Sequence, residues 1–211
     1  MASGLEDRSQ RIVDSALILA EQGGFDAVRL RDVASHAGVA LGTLYRRFRS
    51  KEDLLVAALD REMKGLEHRV LSRLPEGDTE LDRLDQLFSL VTRNFCRKPN
   101  LARALLKAQV CGRQEIAHQV AGFHAQLERL IVATLRGSVP SAARPPTEGE
   151  RRLAWNLDLV WYALLISWSS GIRTQEAVID ETREAARLMI EGWNGADAPC
   201  ARRSGAPQRA D

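Results

Sequence analysis

Leu30-Arg31-Asp32-Val33-Ala34-Ser35-His36-Ala37-Gly38-Val39-Ala40-Leu41-Gly42-Thr43-Leu44-Tyr45-Arg46-Arg47-Phe48 decides the fold. The stretch holds two short helical patterns, one from Leu30 to His36 and one from Leu41 to about Phe48, with Gly38 between them. A glycine there permits the left-handed turn that a helix-turn-helix needs. Val33, Ala34 and Ala37 on the first helix can pack against Val39, Leu44 and Phe48 around that turn. On a helical projection Leu44 and Phe48 share the inward face, while Gly42 and Arg46 lie opposite, flanked by Thr43 and Tyr45. The cations Arg29, Arg31, Arg46, Arg47, Arg49 and Lys51 fall on this segment with only Asp32 opposing them. Such a patch is an electrostatic footprint for a polyanion. The whole-chain net charge of +2 carries no such message.

Working outward, Ile12, Ala16, Leu19 and Ala20 recur at helical spacing upstream, and Gly23-Gly24 stops that helix. Downstream, Ser50-Lys51-Glu52-Asp53 resembles a capping box with Asp in place of the usual Glu, opening a long helix through Leu54, Leu55, Ala58 and Leu59. Pro75-Glu76-Gly77-Asp78 ends it. Five more helices follow. Leu81, Leu84, Phe88, Val91 and Phe95 form one stripe, closed by Lys98-Pro99, and Leu101, Leu105 and Ala108 mark a short helix ending near Gly112. Ile116, Val120, Phe123, Leu127, Leu130 and Thr134 mark the next, stopped at Gly137. A Pro/Ala/Ser-rich loop from Ser138 to Pro146 leads to a capping box, Thr147-Glu148-Gly149-Glu150, for a helix reaching Ser170. The last helix spans about Thr174 to Trp193. Sparse β-branched residues and abundant Ala, Leu, Arg and Glu agree with an all-α fold of about nine helices.

Leu30-Arg31-Asp32-Val33-Ala34, Ala37-Gly38-Val39, Gly42 to Phe48 and Ser50-Lys51 resemble the signature of the TetR family of bacterial regulators in residues and in spacing. The likeness is strong from about Arg11 to Leu55. It implies a DNA-binding head, 1–53, that places its second short helix in the major groove, where Gly42 allows close approach. It further implies that Thr43, Tyr45 and Lys51 hold phosphates, with Tyr45 also able to reach a base. Lys51 sits at a helix N-terminus, where free amides favour an anion. Arg46 or Arg47 is a candidate to read guanine or to hold backbone, Leu41 to touch a thymine methyl, and Arg31 to contact groove or phosphate. Two positions depart from the family pattern: Arg29 and Ala40 stand where a capping Thr or Ser is usual, and each missing cap weakens a helix start by about 1 kcal/mol.

The remainder, 54–195, reads as a ligand-binding and dimerisation body, with 196–211 a polar tail expected to be disordered. From Leu153 to Trp168 the sequence is apolar almost all round, so that helix needs a second partner. A central place in a monomeric bundle would supply one. The family resemblance supplies another, an intersubunit four-helix bundle, with Trp155, Leu164 and Trp168 joined by Ala185, Leu188 and Met189 at the seam of a homodimer. Phe88, Phe95, Leu105, Phe123, Leu127 and Trp161 are the candidate pocket residues, and the scarcity of charge on these stripes implies an apolar small-molecule effector. Gly24-Phe25-Asp26-Ala27-Val28, Gly42 to Arg46, Lys98-Pro99-Asn100-Leu101 and the Trp161 to Trp168 segment bear a looser resemblance to actinobacterial TetR-type repressors of sterol catabolism, implying a steroid-like or acyl-CoA-like effector.

Other classes find little support. No Walker loop, Gly-x-Ser-x-Gly, His-Glu-x-x-His or Rossmann glycine pattern occurs, so no enzyme and no cofactor is expected. Glu115-Ile116-Ala117-His118 has the spacing of carboxylate di-iron bundles, but neither His36, His68 nor His124 follows a Glu at that interval, and no metal is expected. Cys96, Cys111 and Cys200 are odd in number and widely spaced, as in reduced cytosolic chains. The charged first eleven residues lack the apolar core of a signal peptide, and Leu157 to Trp168 is too short to span a bilayer, so no membrane partner and a cytoplasmic location are expected. A lipid-binding protein on the same fold without DNA binding is the remaining rival.

Overall fold

The computed structural model describes residues 2–111 and 114–197. Among these, nine α-helices and one 3-10 turn follow in order: α1 Ala2–Ala27, α2 Leu30–His36, α3 Leu41–Arg47, α4 Lys51–Ser72, α5 Glu80–Cys96, α6 Pro99–Val110, the turn Gln114–Ile116, α7 Ala117–Arg136, α8 Glu148–Ser169 and α9 Gln175–Asp197. The order matches the sequence reading, with differences at both ends. Helix α1 begins about ten residues before Ile12, because its first turns are polar and carry no apolar stripe to reveal them. Helix α9 continues to Asp197, beyond the expected boundary at 195, and the tail from 198 onward lies outside the described residues.

Helical geometry breaks at Gly23 and Gly24, the latter at φ +70°, which turns the chain toward α2. Gly38 adopts φ +64° between α2 and α3, the left-handed value expected at a helix-turn-helix turn. Neither α2 nor α3 has a side-chain cap, as Arg29 and Ala40 foretold. At α4 the Ser50 hydroxyl accepts from the Asp53 amide (3.1 Å), but the Asp53 carboxylate accepts from the Arg49 amide (3.0 Å) rather than from Ser50. The box is therefore closed one residue early. Both halves of the Thr147/Glu150 box are present.

One continuous core runs through head and body, from Ile12, Ala16 and Val33 to Leu130, Leu157 and Trp161. Helix α1 packs along α6, and α4 crosses α6 and α7. The body thus grips α1 of the head and the α4 helix that leaves it. At the far end, the α7–α8 loop is fastened by Arg136, whose guanidinium meets both Glu150 oxygens at 2.5 Å and donates to the carbonyls of Arg144 and Pro145.

The Arg136 hydrogen bonds, aided by the Thr147 amide and hydroxyl, hold the Glu150 carboxyl down at about 2. A carboxylate depressed on folding contributes stability above its unfolded value of about 4.3, and this is lost as pH falls toward the folded value. Urea unfolding should therefore lose about 1–3 kcal/mol from this group between about pH 6 and about pH 2. Arg136→Met should flatten that part of the profile. An unchanged profile in the variant would mean that other carboxylates carry the acid sensitivity.

Candidate nucleic-acid interface and effector cavity

Helix α3 buries Leu44 completely and sets Phe48 behind it, so its opposite face is fixed outward. Gly42, Tyr45, Arg46 and Arg47 are exposed on that side, Tyr45 by 52%, with Leu41 and Thr43 half-buried at its edges. Arg31, at the start of α2, is exposed as well. The side chains are already engaged. Arg46 donates to the Thr43 hydroxyl (3.1 Å) along the helix, whereas Arg47 reaches back to the Ser9 hydroxyl of α1 (3.1 Å). His36 meets the buried Ser15 at 3.0 Å and braces α2 on α1.

Lys51 has the most elaborate surroundings. Its ammonium donates to the Phe25 carbonyl (3.3 Å), lies 3.9 Å from the Phe25 ring centroid and stands 3.8 Å from Asp26. Lys107 of α6 approaches the same ring at 4.5 Å and the same Asp26 oxygen at 3.5 Å. Two cations, one from the base of the head and one from the body, share one aromatic face and one carboxylate. A second link joins Gln119 of α7 to Asp53 at the start of α4 (2.9 Å). Sequence reasoning missed both links, since the partners lie 81 and 66 residues apart. The only available signal was the placing of Phe25-Asp26 just after the glycine pair.

The candidate pocket residues divide into two groups. Phe95, Leu105 and Trp161 line a cavity of about 100 Å³, together with Leu17 of α1, Leu59 and Met63 of α4, and Leu101 and Ala102 of α6. Phe88, Phe123 and Leu127 are packed solid, each no more than 1% exposed, and line no part of it. Trp161 is anchored by donating its indole N–H to the Thr92 hydroxyl at 2.8 Å, and the Phe88 and Phe95 rings lie 6.4 and 6.3 Å from it. Glu62, Asn94, Arg97 and Lys98 supply polar groups to the lining.

The seam residues also divide. Trp155 and Leu188 are exposed by 43% and 54%, and Leu159, at 41%, extends the same outward stripe of α8. Leu164, Ala185 and Met189 are half-buried, with Leu164 and Met189 packed on the core. Trp168 points into its own subunit, 8% exposed, with the Arg103 guanidinium 5.2 Å from its ring. Cys96 is buried, and burial pushes its thiol up to about 12, which leaves it inert at neutral pH. Among the described residues no cluster of three His, Cys, Asp or Glu is placed to hold a metal, and His118 is exposed. Among them, too, no helix is long and apolar enough to cross a membrane.

The family model for bacterial regulatory proteins of the tetR family matches residues 12–58, and that for the tetracyclin repressor-like C-terminal domain matches residues 77–189. The HTH-type transcriptional repressor KstR of Rhodococcus jostii is 35% identical over 185 residues, covering 88% of this chain and 84% of that repressor. Among solved structures, a TetR transcriptional regulator from Rhodococcus sp. RHA1 superposes with a TM-score of 0.75 at 23% identity, over 87% of this chain and 94% of that one. Thermus thermophilus FadR, solved in complex with lauroyl-CoA, gives 0.67 at 20% identity, over 95% of this chain and 100% of that one. The two structures speak for the fold, and the family models and KstR for descent: the chain belongs to the TetR family of bacterial DNA-binding transcriptional regulators that respond to ligands.

Proposed function

We propose that the protein is a homodimeric repressor, held on an inverted-repeat operator by two copies of α3 and released by an apolar small molecule. The observation that carries this reading is the outward face of α3, where Gly42, Tyr45 and Arg46 stand clear above a fully buried Leu44. In a two-fold dimer the two reading helices would lie about 34–36 Å apart or further, matching half-sites on one face of the duplex. The head, 1–53, reads DNA, and the body, 54–195, binds effector and partner. Arg46 is the better candidate for a base, because among the described residues it is tied to Thr43 on the same helix. The bond from Arg47 to Ser9 suits a backbone contact. Thr43, Tyr45 and Lys51 hold phosphates, with Leu41 at a thymine methyl and Arg31 at the groove edge. A phosphate would compete with Asp26 for Lys51.

The effector is steroid-like or acyl-CoA-like. The motifs that resemble actinobacterial repressors of sterol catabolism support the first; the lauroyl-CoA bound by a protein of like fold supports the second. Ligand sites usually measure roughly 300–1,000 Å³, so a cavity of about 100 Å³ must open to admit either. Its walls make that opening consequential. Leu17 belongs to α1 of the head, and Leu59 and Met63 to α4, whose first turn closes the head, so a ligand that widens the cavity shifts the helices that carry the head. A ligand that favours the widened form by a typical 1–3 kcal/mol changes operator affinity about 5–150-fold.

The test adds a steroid ketone or a long-chain acyl-CoA to the preformed operator complex and follows its anisotropy. One of the two should release the DNA, and release by neither would remove both effector classes. Ala102→Phe, which sets a ring into the cavity, should abolish release while operator affinity stays within about threefold. Melting must be measured beside it. A well-folded variant that still responds normally would place the effector elsewhere.

A further inference from the structure

A second recess lies along α7, between the end of α6, the 3-10 turn and α8. It measures about 620 Å³, opens to solvent and shares no lining residue with the inner cavity. Ile116 and Val120 give it apolar walls, His124, Glu128 and Gln109 line it too, and Trp155, a residue of the proposed dimer seam, bounds it on the α8 side. Gln109 is the unusual member. It is 7% exposed, and neither its amide nitrogen nor its amide oxygen has a partner. It follows Leu105, which lines the inner cavity, by one helical turn. A buried donor and acceptor left unpaired destabilise a fold, and leucine would occupy the same space without that cost. A carboxamide kept there without an internal partner points to one from outside.

We propose that this recess is a second small-molecule site, for an uncharged and largely apolar compound carrying a hydroxyl or carboxamide group. Such a group both donates and accepts, as the two free atoms of Gln109 require. Among the described lining residues the nearby carboxylates disfavour an anion. Glu128 lines the recess, and Asp158, fully buried behind it, is 2.6 Å from the Nδ1 of His124. An ammonium group could satisfy only the Gln109 oxygen, leaving its N–H donors unpaired. The site does not depend on the inner cavity, so either can fail alone.

The dimer would be titrated calorimetrically with 1-decanol, decanoate and decylamine, in the wild type and in Ala102→Phe, whose filled inner cavity removes binding there. Decanol should bind both proteins, with decanoate and decylamine about tenfold weaker. In the Ala102→Phe background, Gln109→Leu should weaken decanol about tenfold while the melting temperature holds or rises. Val120→Trp, which blocks the recess from a second side, should remove decanol binding as well. Three results would each overturn the proposal: no decanol binding by Ala102→Phe, either ion binding Ala102→Phe more tightly than decanol, or an Ala102→Phe/Gln109→Leu protein that binds decanol as Ala102→Phe does. Loss of effector-driven release in Ala102→Phe, with decanol still bound, would leave both sites standing. Normal release in that variant would count against the inner cavity alone.

Discussion

Gly42→Leu should destroy operator recognition and leave the protein folded and dimeric. Gly42 occupies the second position of α3, exposed, and a β-carbon built there would meet nothing within 4 Å. Packing therefore gives no reason for glycine. Helix propensity argues against it, since glycine in a helix costs about 1 kcal/mol relative to alanine. On the proposed reading the reason lies outside the molecule: the helix backbone would come close to the floor of the major groove. A leucine there would hold α3 away from the base edges, leaving mainly the sequence-independent attraction to phosphates. Specific binding commonly exceeds that residue of affinity by a factor on the order of a thousand or more, and a loss of that order is expected. Gly42→Ala should fall between, with a melting temperature equal to or above the wild type. Wild-type affinity in Gly42→Leu, read by anisotropy, would take this face of α3 out of the groove.

The second large effect is expected at the seam. Leu188→Glu should yield a folded monomer with little operator affinity. Trp155 and Leu159 on α8 and Leu188 on α9 are large apolar side chains that the described residues leave exposed. In a two-fold interface each residue occurs twice, so one substitution places two carboxylates at the seam. Burying unpaired charges costs several kcal/mol each, enough to dissociate a micromolar dimer. The monomer keeps its core, because Leu157, Trp161, Leu165 and Trp168 face inward on the opposite side of α8. Sedimentation should show the change in mass, with helical content by circular dichroism unchanged. Operator affinity should drop by about two to three orders of magnitude once the second half-site no longer adds to binding. A stable dimer of this variant would move the interface to another face.

Periodicity made the helices legible, and Gly38 with its flanking apolar residues made the head legible, because local rules determine both. The same rules were silent where the outcome depends on how faces meet. The stripe through Phe88, Phe123 and Leu127 marks an inward face equally well whether it lines a void or fills one, and here it fills one. The void lies instead against Leu17 of the head and Leu59 and Met63 of α4, the helix that leaves it. Trp168 belongs to an almost wholly apolar helix, so its side could not be chosen before the neighbours of α8 were known. The pairing of Lys51 and Lys107 across Phe25 is likewise a product of the α1–α6 packing. It also gives Lys51 a role in the free protein, tied to the body, beside the phosphate contact that its helix-start position suggests.

The most direct test of the repressor reading is a titration of the purified wild-type protein onto the DNA upstream of its own gene, followed by anisotropy against an unrelated duplex of equal length over a range of salt. The expected result is a two-fold complex on an inverted repeat, bound at least about a thousandfold more tightly than the unrelated duplex. Its affinity should fall steeply with salt, and Lys51→Ala should flatten that slope by roughly one unit for each phosphate that Lys51 holds. Equal affinity for both duplexes, or none for either, would contradict the account and leave a ligand-binding protein on a regulator's fold.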